Sequence, residues 1–456
     1  MGQTRLRASQ KVSVPVFLWL LAVLVPISSS RLDAGSFPPW GPYLVQTAPA
    51  EPIRTTLGSG LRVVCVGNPA TQTVALSAFI TTSACAETFL QAGIRHFVAR
   101  ALVDCSALDD PALAGGLEAL GAETYVGAGV DFTEVTLLAM AEDVGPAAHL
   151  LRDILFRPRF EPASLDRLRR ELATRLSRAD ELPESAAEKA AAARLFPGHP
   201  YGWPVEGLVA SVAGFTPADV RRVYAGSYVA NNLVIVAAGG LNPEASEAAI
   251  REAFGTALPG ARLPETTDQP PPLRSSRETL QRPGAAAVVY VGARAPGVSD
   301  PHYSAATVAL AALGSGLGSR LYQALRREDS LAYTVTAGAV TARSGARADL
   351  LVSCPPERVG EVETSITKEV DRLAREAPTT EEIQRAREYI CTSYALAHQR
   401  NADLAHTLGA FEVAAQEGFE LDRDLPALIR KVTPEEVSAA TRAMFLTTAV
   451  VRVMPS

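Results

Sequence analysis

His96 and Arg100 stand four residues apart in Gly93-Ile94-Arg95-His96-Phe97-Val98-Ala99-Arg100, the spacing that puts two side chains on one face of a helix. Two histidines so placed, with a carboxylate beside them, could hold a catalytic metal and take a proton from its water. Here only the first position can bind a metal. An arginine at the second repels a dication, and Ala99 has no group that accepts a proton. Catalytic zinc needs three protein ligands and an open position for water, so His96 alone cannot hold it. The remaining histidines, His149, His199, His302, His398 and His406, form no second pair at helical spacing. The residues predict no metal centre in this chain, and they read His96 as a helix residue that finds a hydrogen bond.

Two other groups carry polar chemistry. Arg326 and Tyr333 lie seven residues apart; a guanidinium offers a fork of donors to carbonyl oxygens and a phenol adds one more. The same two residues also read as a helix-end Arg and a strand Tyr. The run Gly314-Ser315-Gly316-Leu317-Gly318 could cradle an anion at a helix N-terminus. It lacks the Lys-Ser/Thr of a P-loop and the acid of a dinucleotide site, so a backbone hinge between helices is the expectation.

The elements that must position these groups are written in the rest of the chain. Its 456 residues give room for two or three domains, and a 47% hydrophobic content can bury a large core. Net charge is −6 and no Lys/Arg block occurs in the body of the chain, which argues against a nucleic-acid surface. Five cysteines, Cys65, Cys85, Cys105, Cys354 and Cys391, make no CxxC and no disulfide framework; buried thiols are expected, with one or two bridges as the alternative.

Residues 1–30 read as a secretory signal peptide. Arg5, Arg7 and Lys11 precede an uncharged apolar run, Val12 to Ile27, and Ser28-Ser29-Ser30 follows. The run is broken by Pro15 and Pro26 and is shorter than the ~20 residues of a bilayer span, so an uncleaved anchor with membrane association is the second reading. The expected location is extracytoplasmic, either periplasmic or secreted, or else membrane-anchored. Residues 31–54, rich in Pro and Gly, are a lead-in.

The body repeats one unit. Thr216-Pro217-Ala218-Asp219-Val220 returns as Thr433-Pro434-Glu435-Glu436-Val437, an offset of 217 residues. At that offset Tyr228 falls on Phe445, Val234 on Val451, Val236 on Val453 and Val74 on Val291. Each TP segment predicts a helix start: Thr as N-cap, Pro at N1, and an acid at N3 to close a capping box. Strands are predicted at Leu61–Val66, at the alternating Val74, Leu76, Ala78 and Ile80, at Leu233–Ala237, at Ala287–Val291 and at Ala449–Val453, and helices at Pro162–Ala179 and Thr379–His398. The fold class is α+β: two homologous sheet-plus-helices domains from an internal duplication, 55–262 and 277–456, joined by a Pro-rich connector at 263–276.

The order of these segments resembles the insulinase/pitrilysin family of inverted zinc peptidases, which includes mitochondrial processing peptidase and the cytochrome bc core proteins. Gly60-Leu61-Arg62-Val63 is similar to the family's opening strand, Gly198-His199-Pro200-Tyr201-Gly202 to its H-P-Y-G loop, and Asn231-Asn232-Leu233 to the strand that follows the TP helix. Leu317-Gly318-Ser319-Arg320-Leu321-Tyr322 with Leu331-Ala332-Tyr333 is similar to its S-R-L … L-A-Y segment. The family motif is H-x-x-E-H. In that frame His96 matches, Ala99 takes the general-base position and Arg100 the second ligand. The third ligand, a Glu in the family, falls near Ser177, whose neighbours Arg175, Leu176 and Arg178 are not ligands either.

The resemblance implies a degenerate, non-catalytic member with no cofactor of its own, zinc being expected only in a catalytic partner of the same family. It implies a clam-like pairing of two such chains around a peptide substrate. Arg326 and Tyr333 match the family's Arg/Tyr pair that contacts bound peptide and the developing oxyanion. A Gly-rich loop touches substrate in processing-peptidase subunits, and the version at 314–318 is shorter. The expected function is a non-catalytic subunit that contributes Arg326, Tyr333 and chamber closure; the alternative is a core-protein-like scaffold without a protease role.

Overall fold

The computed structural model describes residues 51–81, 87–107, 109–261 and 270–456. The signal segment, most of the lead-in, Cys85 and half of the connector lie outside the described residues. The first sheet holds β1 (Ile53–Thr56), β2 (Arg62–Gly67), β3 (Thr73–Thr81), β4 (Glu123–Ala128), β5 (Phe132–Met140) and β6 (Leu233–Gly239) in the order β1-β2-β6-β3-β5-β4. The second holds β7 (Ser276–Arg282), β8 (Ala287–Ala295), β9 (Thr334–Thr341), β10 (Ala346–Cys354) and β11 (Thr448–Pro455) in the order β7-β11-β8-β10-β9. In each sheet one pair is parallel, β2 with β6 and β7 with β11, and the others are antiparallel. Put β2, β6, β3, β5 and β4 in place of β7, β11, β8, β10 and β9, and the second sheet reproduces the first without β1. The duplication is thus visible in topology as well as in sequence.

The matched helix starts form as their residues dictate. Thr216 caps Pro217–Ser227 and Thr433 caps Pro434–Met444, each with Pro at N1 and an acid at N3 closing a capping box. The strand match Val74 to Val291 is corrected by register. Leu233 pairs with Ile80, and Val450, its counterpart at the 217 offset, pairs with Val291. Val291 is therefore the counterpart of Ile80. The slip of six residues is even, so both valines still point to the same kind of face, which is why the pattern alone does not reveal it.

The difference is absorbed next to β9. Ile80 and Thr133 are partners, as are Val291 and Leu350. Thr133 pairs with Ala128, the last residue of β4, and Leu350 with Ala337 in mid-β9. The β9–β10 hairpin therefore runs four residue pairs beyond its counterpart.

Each sheet buries both faces, and here the halves are not independent. One face of the first sheet, with Val74, Leu76, Ala78 and Ile80, packs on helices of its own half. The other, with Val64, Ala75, Phe79, Val234 and Val236, is covered by Leu404, Ala405 and Leu408 of helix Asn401–Ala414 from the second half. Gly409 lies so close to the Phe79 ring that a Cβ there would sit 2.0 Å from it. Reciprocally, Ala187, Ala191 and Leu195 of helix Pro183–Leu195 cover Val288, Tyr290, Val451 and Val453 of the second sheet. The two helices are counterparts, since Ala187 falls on Leu404 and Ala191 on Leu408 at the 217 offset. Each large side chain buried in this way contributes about 1.5–3 kcal/mol, so the exchange binds the halves firmly.

Each exchanged helix also carries polar pairs into the foreign sheet: His406 Nδ1 lies 2.6 Å from Glu134 Oε2 and Glu412 accepts from Arg54 and Arg62, while Glu188 accepts from Arg347 at 3.0 Å and Arg194 pairs with Glu278. The hairpin tips meet as well. Asp131 accepts from the Arg343 backbone N–H at 2.6 Å and from the Tyr201 hydroxyl at 3.0 Å. The His-Pro-Tyr-Gly loop thereby serves as a joint between the halves; His199 Nδ1 accepts from the Tyr201 N–H at 3.1 Å and holds the loop in shape. Among the described residues Cys65, Cys105, Cys354 and Cys391 are free thiols, and none of the described helices is long and apolar enough to cross a membrane.

Candidate functional site

Helix Ile94–Ala101 begins where two backbones touch. Gly93 has φ +87°, and a Cβ on it would meet Gly207 at 2.3 Å, so glycine is required on both counts. Glu87 accepts from the Gly93 and Arg95 N–H groups, both at 3.2 Å, and pairs with Arg95 Nε at 2.8 Å, which places a carboxylate at the positive end of the helix. The helix is buried on nearly every side, and it runs on into a π-helical turn, Leu102–Ala107.

His96 is 4% exposed. Its ring donates to the Glu206 backbone carbonyl while Nδ1 has no hydrogen-bond partner, which assigns the proton to Nε2. Burial, then Arg175 and Arg100, push the imidazole down to about 3, so it is neutral in the folded chain. Ala99 is fully buried in the core of the first half. Arg100 donates to Asp104 and sits 3.8 Å from Glu171; Arg175 sits 3.8 Å from Glu206.

The family's spacing puts the third-ligand position near Ser177. On helix Pro162–Glu181 the buried stripe is Leu165, Leu168, Leu172 and Leu176; it leaves Ser177 and Arg178 exposed and turns Arg175 to His96. Periodicity along this helix was the signal that could have found Arg175.

The arrangement keeps one feature of a metal centre: a neutral imidazole with a lone pair beside a positive charge. The charge is now a guanidinium. Arg100 and Arg175, paired with Asp104, Glu171 and Glu206, tie the motif helix, its π turn, helix Pro162–Glu181 and the loop before Gly207 together. Zinc does not fit this donor set, because two cations border the one imidazole and no acid stands at position 99. Among the described residues no group of three or more His, Cys, Asp or Glu side chains could hold a metal ion.

A neutral buried histidine has a consequence for pH. The unfolded chain takes up a proton at His96 below about pH 6.5, and the folded chain does so only near pH 3. Between these values the unfolded state binds more protons, so stability falls on acidification. His96→Gln is expected to remove about 2–3 kcal/mol of the loss between about pH 6.5 and about pH 4.5. Urea unfolding across that range checks it; parallel profiles for the two proteins would refute a neutral His96.

The structure brings Arg326 and Tyr333 together. Arg326 lies in the π-helical turn Gln323–Glu328 that continues helix Arg320–Tyr322, and Nη1 donates to the Tyr333 backbone carbonyl. The Tyr322 ring lies 5.9 Å below the guanidinium, a cation–π support that sequence reasoning missed. The Tyr333 side chain is 54% exposed at the head of β9. Behind them Arg320 forks onto Glu382 at 2.9 and 3.1 Å, and Glu382 closes the capping box of helix Thr380–Ala397. In the glycine run, a Cβ on Gly314 would lie 2.4 Å from Ala337 Cβ, and Gly316 takes φ +77°. These glycines let the backbone turn close against β9.

Fold and site together define a two-half α+β chain of the inverted zinc peptidase class whose metal position is filled by arginines. Residues 62–207 match the profile of the insulinase family (peptidase family M16), and residues 214–390 match that of the peptidase M16 inactive domain. The chain belongs to this family. It is 29% identical over 403 residues to an uncharacterized zinc protease of Mycobacterium tuberculosis, covering 87% of this chain and 91% of that one. It is 24% identical over 189 residues to the mitochondrial-processing peptidase subunit beta of Blastocladiella emersonii, 41% of each chain. Among solved structures, a protease from Helicobacter pylori superposes with a TM-score of 0.82 at 15% identity, covering 89% of this chain and 99% of that one. A chain of complex III2 from Candida albicans superposes with a TM-score of 0.76 at 17% identity, covering 88% and 95%. At these identities the structural likeness establishes the fold.

Proposed function

We propose that this chain is a non-catalytic subunit of a heteromeric zinc metallopeptidase acting outside the cytoplasm. A partner of the same family supplies the intact zinc helix. This chain closes the chamber and presents Arg326 and Tyr333 to the bound peptide. The observation that carries the reading is a contrast within one chain: arginines fill the metal position around His96, whereas Arg326 and Tyr333 stay joined and exposed. The likeness to a processing-peptidase subunit supports a two-chain assembly, and the basic, apolar start of the sequence supports export. A scaffold without substrate contact is the second reading, and the likeness to a chain of complex III2 favours it.

The test is purification of the chain alone and with its co-purifying partner. The dialysed chain alone is expected to hold well under one zinc and to cleave no peptide, and the complex to cleave with chelator sensitivity. About one zinc per isolated chain, lost on His96→Ala, would overturn the reading. A stable complex with no peptidase activity would move it to the scaffold.

A further inference from the structure

We infer that the former metal position binds an anion: a carboxylate with an N–H donor beside it, as at the C-terminal end of a peptide, held by Arg175 and His96. The inference goes beyond the proposed subunit role and needs no partner chain. It starts from the misfit of zinc. Where a metal centre would set a cation, this chain sets two guanidiniums beside one neutral imidazole, and Arg175 acts on His96 more strongly than Arg100 does.

Orphaned atoms show what the position can hold. Buried polar side-chain atoms are nearly always hydrogen-bonded. The buried Nε and Nη2 of Arg175 and the buried Nδ1 of His96 have no such partner. Arg175 is the one described side chain with two buried atoms of this kind. Nε and Nη2 form one edge of a guanidinium, two parallel donors that match the two oxygens of a carboxylate. The chain uses the same edge elsewhere: Arg320 holds Glu382 with Nε at 2.9 Å and Nη2 at 3.1 Å. At Arg175 the facing acid, Glu206, stands 3.8 Å from Nη2, beyond a hydrogen bond. Leu172 and Leu176, buried on either side, fix the point where Arg175 leaves helix Pro162–Glu181.

His96 decides what accompanies the carboxylate. Its ring is 4% exposed and already donates to the Glu206 carbonyl, so the Nδ1 lone pair takes only a donor. A bare carboxylate has none. The end of a peptide has one, because the amide N–H of its last residue lies one carbon from the carboxylate. The neighbouring acids are placed to give way. The Glu206 and Glu171 side chains are 37% and 61% exposed, and each stands 3.8 Å from its arginine, an ion pair without a hydrogen bond. A bidentate carboxylate replaces the loose pairing at Arg175 as Glu206 swings into water. Asp104 stays on Arg100, which lends the site its charge and not a bond.

N-acetyl-Leu-Ala, whose terminal carboxylate is its only charge, tests the inference by calorimetry on the full chain. The free acid is expected to bind on the order of tenfold more tightly than its C-terminal amide. Methylating the nitrogen of the terminal residue removes the donor to His96 and keeps the charge, and is expected to weaken binding about fivefold. Arg175→Gln is expected to lose on the order of tenfold in affinity. Glu206→Gln removes the competing carboxylate, leaves the backbone carbonyl on His96, and is expected to tighten binding. A melting curve accompanies each variant; if Arg175→Gln fails to fold, Glu206→Gln and the methylated peptide still decide. No binding of the free acid in the millimolar range, equal binding of acid and amide, or unchanged affinity in both variants would overturn the inference. Acetate binding as tightly as the peptide, or no loss on methylation, would overturn the role of His96 and with it the peptide end as ligand. No partner subunit is present, so failure here is separate from failure of the two-chain enzyme, which the zinc and cleavage measurements decide.

Discussion

Tyr333→Phe is expected to lower turnover of the reconstituted two-chain peptidase on the order of 10²-fold, the usual effect of losing one oxyanion-type donor. The change removes one hydroxyl from a side chain that is 54% exposed. No packing is lost, and stability should change by under ~1 kcal/mol. Arg326→Ala acts on two levels. It removes a charged fork that can hold a peptide carbonyl, weakening substrate binding. It also removes the donor that holds the Tyr333 carbonyl, so the head of β9 loosens and Tyr333 loses its fixed place. Turnover with each variant, beside a melting curve of the chain, separates the two levels: Tyr333→Phe moves kcat alone, and Arg326→Ala moves KM as well. Unchanged turnover in both, with the complex intact, would leave the scaffold as the function.

The second large effect is a failure to restore. Ala99→Glu with Arg100→His rebuilds the letters of the zinc motif, and the double variant is expected to bind zinc weakly, cleave nothing and melt well below the parent. Ala99 is fully buried among core side chains, so a carboxylate there is desolvated without a metal or water to receive it. Removing Arg100 deprives Asp104 of its paired guanidinium. Arg175 still sets its charge beside His96 where a third ligand would be needed. The Arg100–Asp104 pair is only part-buried, with side chains 20% and 32% exposed, so its loss costs less than the about 3–5 kcal/mol of a fully buried pair; the buried, unpaired carboxylate that replaces the Ala99 methyl adds to that. Zinc content after dialysis, peptide cleavage and thermal unfolding check it together. Robust chelator-sensitive cleavage by the double variant would show that the third ligand lies elsewhere than on helix Pro162–Glu181.

Much of this architecture was written in local chemistry. Thr216 and Thr433 announce helix starts because an N-cap, a proline and an acid act within one turn, and the helix expected at Thr379–His398 forms at Thr380–Ala397 for the same reason. The failed metal motif was legible because ligand chemistry depends on residue type at fixed spacing. What stayed hidden was non-local. Strands apolar on both faces, such as β3 and β6, show that two layers cover them without showing which helices do so. Nothing in Ala187 or Leu404 states that its helix crosses to the other half. The slip of Val291 from Ile80 to Val74 preserved the face and so left no trace in the pattern. Arg175 was missed by counting along the chain where the turn of the helix should have been followed. Tyr322 under Arg326 is a local contact, four residues apart on one helical face, and the sequence reading left that spacing unused.

The exchange of helices between the halves also speaks to how such a chain arose. A single copy of the repeated unit has one bare wall, a sheet face of Val64, Ala75, Phe79, Val234 and Val236 that its own helices never reach. Standing alone, such a unit would leave that face to water. Two separate copies would have to meet, each lending the other a helix, and their folding would depend on concentration. Joining two copies head to tail made that encounter intramolecular and independent of concentration. It also released the copies from being identical: one could keep a histidine encircled by arginines, the other an arginine and a tyrosine at the mouth of a strand.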